Sequence, residues 1–188
     1  MTTLDRFIRY CRIKKVRPYV HPQDRILDIG TNDGHLFRCL EFFEGTGIDP
    51  DLRAVGKIPK VHLIKGFFPE NLPEDEKFDV IVVMAVIEHI PPIKQAFFAL
   101  QCFNSLHTGG SLIVTVPSPF ADYILHCLCF LHLIHGMNLN EHYRFDQRKT
   151  RKLFCDVGFT LFLHKRFQFG LNNLFVFKKQ ISISALGK

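Results

Sequence analysis

No apolar run in this chain reaches the ~20 residues that a helix needs to cross a bilayer. The longest, residues 119–137, is interrupted by Asp122, His126, His132 and His135, so a membrane-spanning helix is excluded. The opening residues are charged and hold no signal-peptide core. The six cysteines, Cys11, Cys39, Cys102, Cys127, Cys129 and Cys155, are scattered along the chain. They are expected to be reduced thiols of a cytoplasmic protein rather than a disulfide framework. Repeats, low-complexity tracts and linkers are also missing, so residues 1–188 are expected to fold as one domain. With 47% hydrophobic and 22% charged residues, the composition excludes disordered and collagen-like classes. A chain of this length can bury roughly 70% of its unfolded surface without staples.

What charge there is lies unevenly. Arg6, Arg9, Arg12, Lys14, Lys15 and Arg17 account for the whole net charge of +6, and the remaining residues balance. A uniformly basic surface is therefore not indicated, and no nucleic-acid partner is expected. Leu4, Phe7, Ile8 and Cys11 recur at helical spacing, with the cations mostly on the other side and Thr2 with Asp5 as a capping-box start. Residues 1–20 thus read as a basic amphipathic helix, ended by Pro18 and Pro22. Such a helix either packs on the domain or makes a peripheral membrane contact through residues 4–17.

Beyond it, short apolar runs alternate with helical stretches, the pattern of βαβ units and a parallel sheet. Strands are predicted at 25–29, 45–48, 61–65, 78–83 and 111–116, with helices at 34–43, 51–57, 93–106 and 147–157. Two last strands, 159–169 and 172–178, turn around Gly170, so the final one is expected to run antiparallel. In open α/β sheets, ligands sit beyond the carboxyl ends of the strands. The first strand ends in Asp28-Ile29-Gly30-Thr31-Asn32-Asp33-Gly34 and turns straight into a helix. Residues there must tolerate positive φ where backbone approaches a ligand, and asparagine is the usual second choice after glycine. The second strand ends in Asp49-Pro50. A carboxylate at that place can accept both hydroxyls of an adenosine ribose, or it can cap local structure.

These residues resemble the class I S-adenosylmethionine-dependent methyltransferases. The first motif of that family is matched by Asp28, Gly30 and Gly34, with Asn32 where the middle glycine usually lies. The similarity continues through 45–49, through 78–83 with Ala85-Val86-Ile87-Glu88-His89-Ile90, through Gly109-Gly110-Ser111-Leu112, and on to the final hairpin. It implies a Rossmann-like, seven-stranded, mostly parallel α/β sheet with helices on both faces and a C-terminal antiparallel hairpin. It also implies S-adenosyl-L-methionine as cofactor and S-adenosyl-L-homocysteine as product. By position, Asp28, Gly30, Thr31, Asn32 and Gly34 would pass the methionine part, and Asp49 with Pro50 would hold the ribose. Gly66, Phe67 and Phe68 would cover adenine, Phe67 standing where an acid is often found. Met84 and Ala85 would lie beside the methyl-bearing sulfur.

Methyl transfer needs two well-positioned reactants and no covalent enzyme nucleophile. If the acceptor is a hydroxyl, a base helps, and His89 and His142 are the candidates, with Glu88 and Glu141 behind them. Residues 117–145 fall where the family places its acceptor lid, and they are very apolar. They read as a cap over an apolar or lipid-like small molecule, or as a buried helix or homodimer interface through 119–137. Tyr123, Tyr143 and Arg144 are the acceptor-side candidates, Arg144 as a clamp for an acidic group. His126, Cys127, Cys129, His132 and His135 cannot all converge on one ion from a helix, so no metal is expected. Two other readings stand beside a methyltransferase: a non-catalytic cofactor-binding subunit that docks a partner protein, and a nicotinamide-dependent oxidoreductase. The latter wants glycines where this chain has Asn32 and His35.

Overall fold

In the computed structural model, residues 3–40, 44–53, 56–118 and 147–180 are described. Helix α1 (Thr3–Val16) precedes β1 (Arg25–Ile29), α2 (His35–Cys39), β2 (Glu44–Asp49), β3 (Val61–Lys65) and β4 (Phe78–Met84). Then follow α3 (Pro92–Asn104), β5 (Leu106–Pro117), α4 (Gln147–Cys155), β6 (Phe159–Phe167) and β7 (Asn172–Lys179). The strands form one seven-stranded sheet in the order β3-β2-β1-β4-β5-β7-β6. The first five pair in parallel, and β7 runs antiparallel to both β5 and β6. The predicted architecture is the observed one.

Strand side chains alternate between faces, and each face has its own core. Val80 and Val82 of β4, Ile26 of β1 and Val176 of β7 pack with Ile13 and Val16 of α1 and with Leu36 and Phe37 of α2. Ile81 and Val83, Leu27 and Ile29, and Phe177 pack on the opposite face with Phe98 and Cys102 of α3 and Phe154 of α4. The same period of two places Asp28 on the α1 face, beside Ile26 rather than Leu27.

Helix α1 corrects the expected stripe. The side it buries carries Ile13 and Val16, while Phe7 is 60% exposed. Arg9 and Arg12, expected to face water, turn inward: Arg9 pairs with Asp33, and Arg12 donates through Nε and Nη2 to Asn172 Oδ1. Burial lowers the Arg12 pKa, and only the nearby charge of Glu88 opposes that shift. Two polar anchors decided the rotation of this helix, and hydropathy spacing contains no trace of them. Thr2, of the expected capping box, lies outside the described residues.

Other boundaries shift for local reasons. The helix expected over 51–57 is absent among the described residues there, because Leu52 N–H turns back to Asp49 O and Gly56 adopts φ +67°. Helix α2 stops short of the predicted residue 43, its last turn closed by Leu40 N–H to Leu36 O. Strand β5 begins five residues earlier than expected, at Leu106 opposite Phe78, and its pairing with β4 shifts register between Phe78 and Val80. The cap segment, residues 119–137 included, lies outside the described residues. Among the described residues no helix is long and apolar enough to cross a membrane.

Candidate active site

The turn after β1 takes the conformation that its residue types predict. Gly30, Asn32 and Gly34 have φ of 81°, 54° and 74°, the left-handed region that most side chains avoid. A Cβ added at Gly30 would also collide with the Val86 side chain, and one at Gly34 with Ile58. The turn is held to β2: Asp49 Oδ2 accepts Asn32 N–H at 2.8 Å, and Asp49 Oδ1 accepts Asp51 N–H at 2.7 Å. Asp49 is 8% exposed. Each of its oxygens retains a second lone pair for a ligand hydroxyl.

Two cavities meet at Gly30. The larger, about 480 Å³, lies beyond the ends of β1, β2 and β4, where Pro50, Phe67, Phe68, His89, Phe97 and Phe98 line it. Phe67 stands 65% exposed at its rim. Phe68 instead packs edge-on against Phe98, with ring centroids 5.5 Å apart. Their loop is braced by Asn71, whose Oδ1 accepts Phe67 N–H at 2.9 Å. Sequence reasoning missed Asn71, Lys94 and Phe97; a short polar residue four positions after Phe67 was the available signal for the first.

The smaller cavity, about 50 Å³, is charged, with Arg9, Arg12, Asp28, Thr31, His35 and Met84 around it. Asp28 is 1% exposed. Burial pushes its carboxyl up to about 7, against the Thr31 hydroxyl and the Arg9 charge that pull it down. Its Oδ1 has no hydrogen-bond partner among the described residues. Arg9 forms a two-pronged pair with Asp33 at 2.9 and 3.0 Å. Burial raises the Asp33 pKa, but the hydrogen bonds and charge of Arg9 outweigh it and hold that carboxyl below its usual value. The inward arginines of α1 were also missed, since their place depends on tertiary anchors.

β4 ends in Met84, which lines the smaller cavity, and Ala85 follows it. Ala85 has φ 57°, and its N–H is held by Thr115 O at 2.9 Å. A non-glycine residue in that region costs ~1–3 kcal/mol, and such strain clusters at functional sites. In the short turn Ile87–His89, the two neighbours Glu88 and His89 part ways. Glu88 is 3% exposed and within electrostatic reach of Arg12, whereas His89 lines the larger cavity. Glu88 is thus not among the groups that surround that cavity. His142, Glu141, Tyr123, Tyr143 and Arg144 lie outside the described residues, as do His126, Cys127, Cys129, His132 and His135. Among the described residues no group of three or more His, Cys, Asp or Glu is placed to hold a metal ion.

A family profile described as "Methyltransferase domain" matches residues 4–164. The chain belongs to the class I S-adenosylmethionine-dependent methyltransferases. A protein-L-isoaspartate O-methyltransferase of Koribacter versatilis is 28% identical in an alignment of 111 residues that covers 53% of this chain and 46% of that relative. The chain thus spans less than half the length of this curated relative. Among solved structures, the fold is similar to magnesium protoporphyrin IX methyltransferase of Synechocystis, which holds S-adenosylhomocysteine. The TM-score is 0.69 at 14% identity, over 96% of this chain and 89% of that one. It is also similar to the Burkholderia thailandensis 1,6-didemethyltoxoflavin-N1-methyltransferase, with a TM-score of 0.67 at 14% identity, over 94% and 82% of the two chains. This membership favours a methyltransferase over a non-catalytic docking subunit or a nicotinamide-dependent oxidoreductase.

Proposed function

We propose that this methyltransferase acts on a small molecule, an apolar or lipid-like acceptor that presents a hydroxyl. The observation that carries the cofactor placement is the chemical contrast of the two cavities joined at Gly30. One is apolar and lined by Ile48 and Pro50, the residues on either side of Asp49; the other sets two guanidinium groups opposite a buried carboxylate. S-adenosylmethionine has the same two ends, an adenosine and a zwitterionic amino acid, so the residues present fit it. Asp49 and Pro50 would hold the ribose and Phe67 and Phe68 would cover adenine, with Gly66 giving the chain room to turn. Asp28, with its unsatisfied Oδ1, would take the ammonium, and Arg9 and Arg12 the carboxylate.

The bound cofactor supplies an electrophilic methyl group on a sulfonium. Gly30, Thr31, Asn32 and Gly34 would hold the methionine part, and Met84 and Ala85 would border the sulfur. The acceleration this chain contributes is chiefly positioning, which can reach effective molarities of ~10⁵ M or more. His89 is the base assigned to receive the hydroxyl proton among the described residues; His142, with Glu141, is its counterpart on the acceptor side. Tyr123, Tyr143 and Arg144 would hold the acceptor. Relatives named for small-molecule substrates support that substrate class, and the apolar composition of residues 117–145 supports a greasy one.

Calorimetric titration with S-adenosylmethionine, S-adenosylhomocysteine and NAD tests the cofactor half. Binding of the first two and not of NAD is expected. A screen of labelled methyl transfer onto apolar alcohols, phenols and amines then tests the acceptor half. Transfer restricted to amines, or to polar acceptors, would overturn it.

A further inference from the structure

The inward rotation of α1 leaves an outer face that stands exposed among the described residues. Phe7 and Tyr10 are 60% and 53% exposed, and with Lys14 they follow at i, i+3 and i+7, one side of a helix. Arg6, Lys15 and Arg17 are exposed around them. No acidic residue occurs between Arg6 and Arg17. Aromatic side chains standing in water, ringed by cations on a helix fixed at its back, are the surface of an interfacial helix.

The helix does not stand alone. Through Arg12 it is tied to Asn172, the first residue of β7 and three positions after Phe169 in the β6–β7 turn. Phe169 is fully exposed, at 107%, on a left-handed backbone with φ 55°. That conformation is one a bulky residue adopts rarely. Ser118 N–H is bound to Leu171 O in the same turn at 2.8 Å, and from Ser118 the chain enters the most apolar stretch of its sequence, residues 119–137. The Phe169 turn and the start of that stretch therefore lie at the carboxyl end of the sheet, where the cavities lie, and α1 meets that end through Arg9 and Arg12, which line the smaller cavity.

We infer that α1 and the Phe169 turn dock this protein on an anionic lipid surface, with Phe7, Tyr10 and Phe169 entering the headgroup boundary and Arg6, Lys14 and Lys15 facing lipid phosphates and carboxylates. Charge complementarity selects an anionic surface; bases could also stack on these rings, and it is the apolar stretch that begins after Ser118, beside the Phe169 turn, that selects a bilayer over a nucleic acid. Docking in this pose turns the acceptor end of the sheet to the membrane, where an apolar acceptor dissolves. The inference stands on surface geometry, and it is tested without cofactor or acceptor, so its failure would leave the methyl-transfer reading untouched.

The test is flotation of the purified protein with phosphatidylcholine vesicles, with and without phosphatidylserine, at low and high salt. Binding is expected only to the phosphatidylserine vesicles, and it should weaken with salt. The paired variant Lys14→Glu/Lys15→Glu should lower partitioning roughly tenfold or more, and Phe7→Ala/Tyr10→Ala should lower it severalfold. All four positions are exposed, so unchanged melting curves will show that the variants are folded. Equal binding to neutral vesicles, binding insensitive to either variant, or binding to single-stranded RNA with none to vesicles would each overturn the inference.

Discussion

Asp49 and Asn32 are joined by a 2.8 Å hydrogen bond from the Asn32 N–H to Asp49 Oδ2. The acid at the end of β2 thereby builds the turn after β1, while its neighbours Ile48 and Pro50 line the larger cavity. In sequence they are two separate motif positions; in the fold they are one object. Removing the carboxylate must then act twice, once on the turn and once on whatever the cavity holds.

Asp49→Ala is expected to lower the melting temperature, because the Asn32 N–H loses its acceptor at a cost of ~1–3 kcal/mol. It should also weaken S-adenosylhomocysteine at least tenfold. Asp49→Asn keeps one acceptor oxygen for the Asn32 N–H but sets its amide NH₂ against the Asp51 N–H, so it should restore part of the stability without restoring the affinity. Calorimetry and thermal melts on the same two samples separate the effects. Equal affinity loss with no stability difference between the variants would show that the turn does not depend on this bond.

Much of this architecture was readable because the signals are local. Alternation, glycine spacing and strand-end acids fixed the seven strands, and the positive-φ demand at Gly30, Asn32 and Gly34 follows from residue type alone. What could not be read depends on groups far apart in sequence. Nothing near Arg9 and Arg12 announces Asp33 and Asn172, so hydropathy assigned them to the wrong face of α1. The pair Phe67 and Phe68 likewise has no local cue for which ring joins the core. Residues 51–57 had helical composition, yet the Asp49 carbonyl and Gly56 impose turns there.

The buried Asp28 predicts a pH dependence. Its folded pKa, about 7, lies above the ordinary 3.8, so the native state holds a proton that the unfolded chain releases. This group's contribution is therefore complete below 3.8 and is lost as pH rises toward about 7, at about 1.4 kcal/mol per pKa unit. Asp28→Asn should accordingly raise stability above pH 7. A ligand ammonium beside Asp28 favours the ionised form, so S-adenosylhomocysteine binding should release a proton and strengthen as pH passes through 7. The facing groups are Thr31, Asp49, Arg9 and Asp33. His35 is held below its usual 6.5 by burial and then by Arg9. Calorimetry in buffers of different ionisation enthalpy reads the proton count, and a count unchanged by Asp28→Asn would contradict the assignment.

The Arg9–Asp33 pair offers a coupling measurement. Its side chains are 20% and 29% exposed, and the contact is bidentate, so it exceeds the ordinary surface bridge. A double-mutant cycle with Arg9→Ala and Asp33→Ala should give ~0.5–3 kcal/mol of coupling in stability. Arg9→Ala alone should also weaken S-adenosylhomocysteine more than adenosine, since Arg9 lines only the charged cavity. Equal losses for both ligands would remove it from the carboxylate site.

Phe67 and Phe68 are adjacent but should answer differently. Phe67 is mostly exposed at the cavity rim, so Phe67→Ala should leave the melting temperature nearly unchanged and weaken adenosine and S-adenosylhomocysteine alike. Stacking on an aromatic ring is worth ~1–3 kcal/mol per base where it has been measured, or roughly tenfold in affinity. Phe68 gives up its edge contact with Phe98 and its place against the core, so Phe68→Ala should cost ~2 kcal/mol or more of stability. Thermal melts and adenosine titrations of the two variants decide the matter. If Phe67→Ala binds adenosine as tightly as the parent, the base does not lie on that ring, and the rim of the cavity serves another part of the reaction.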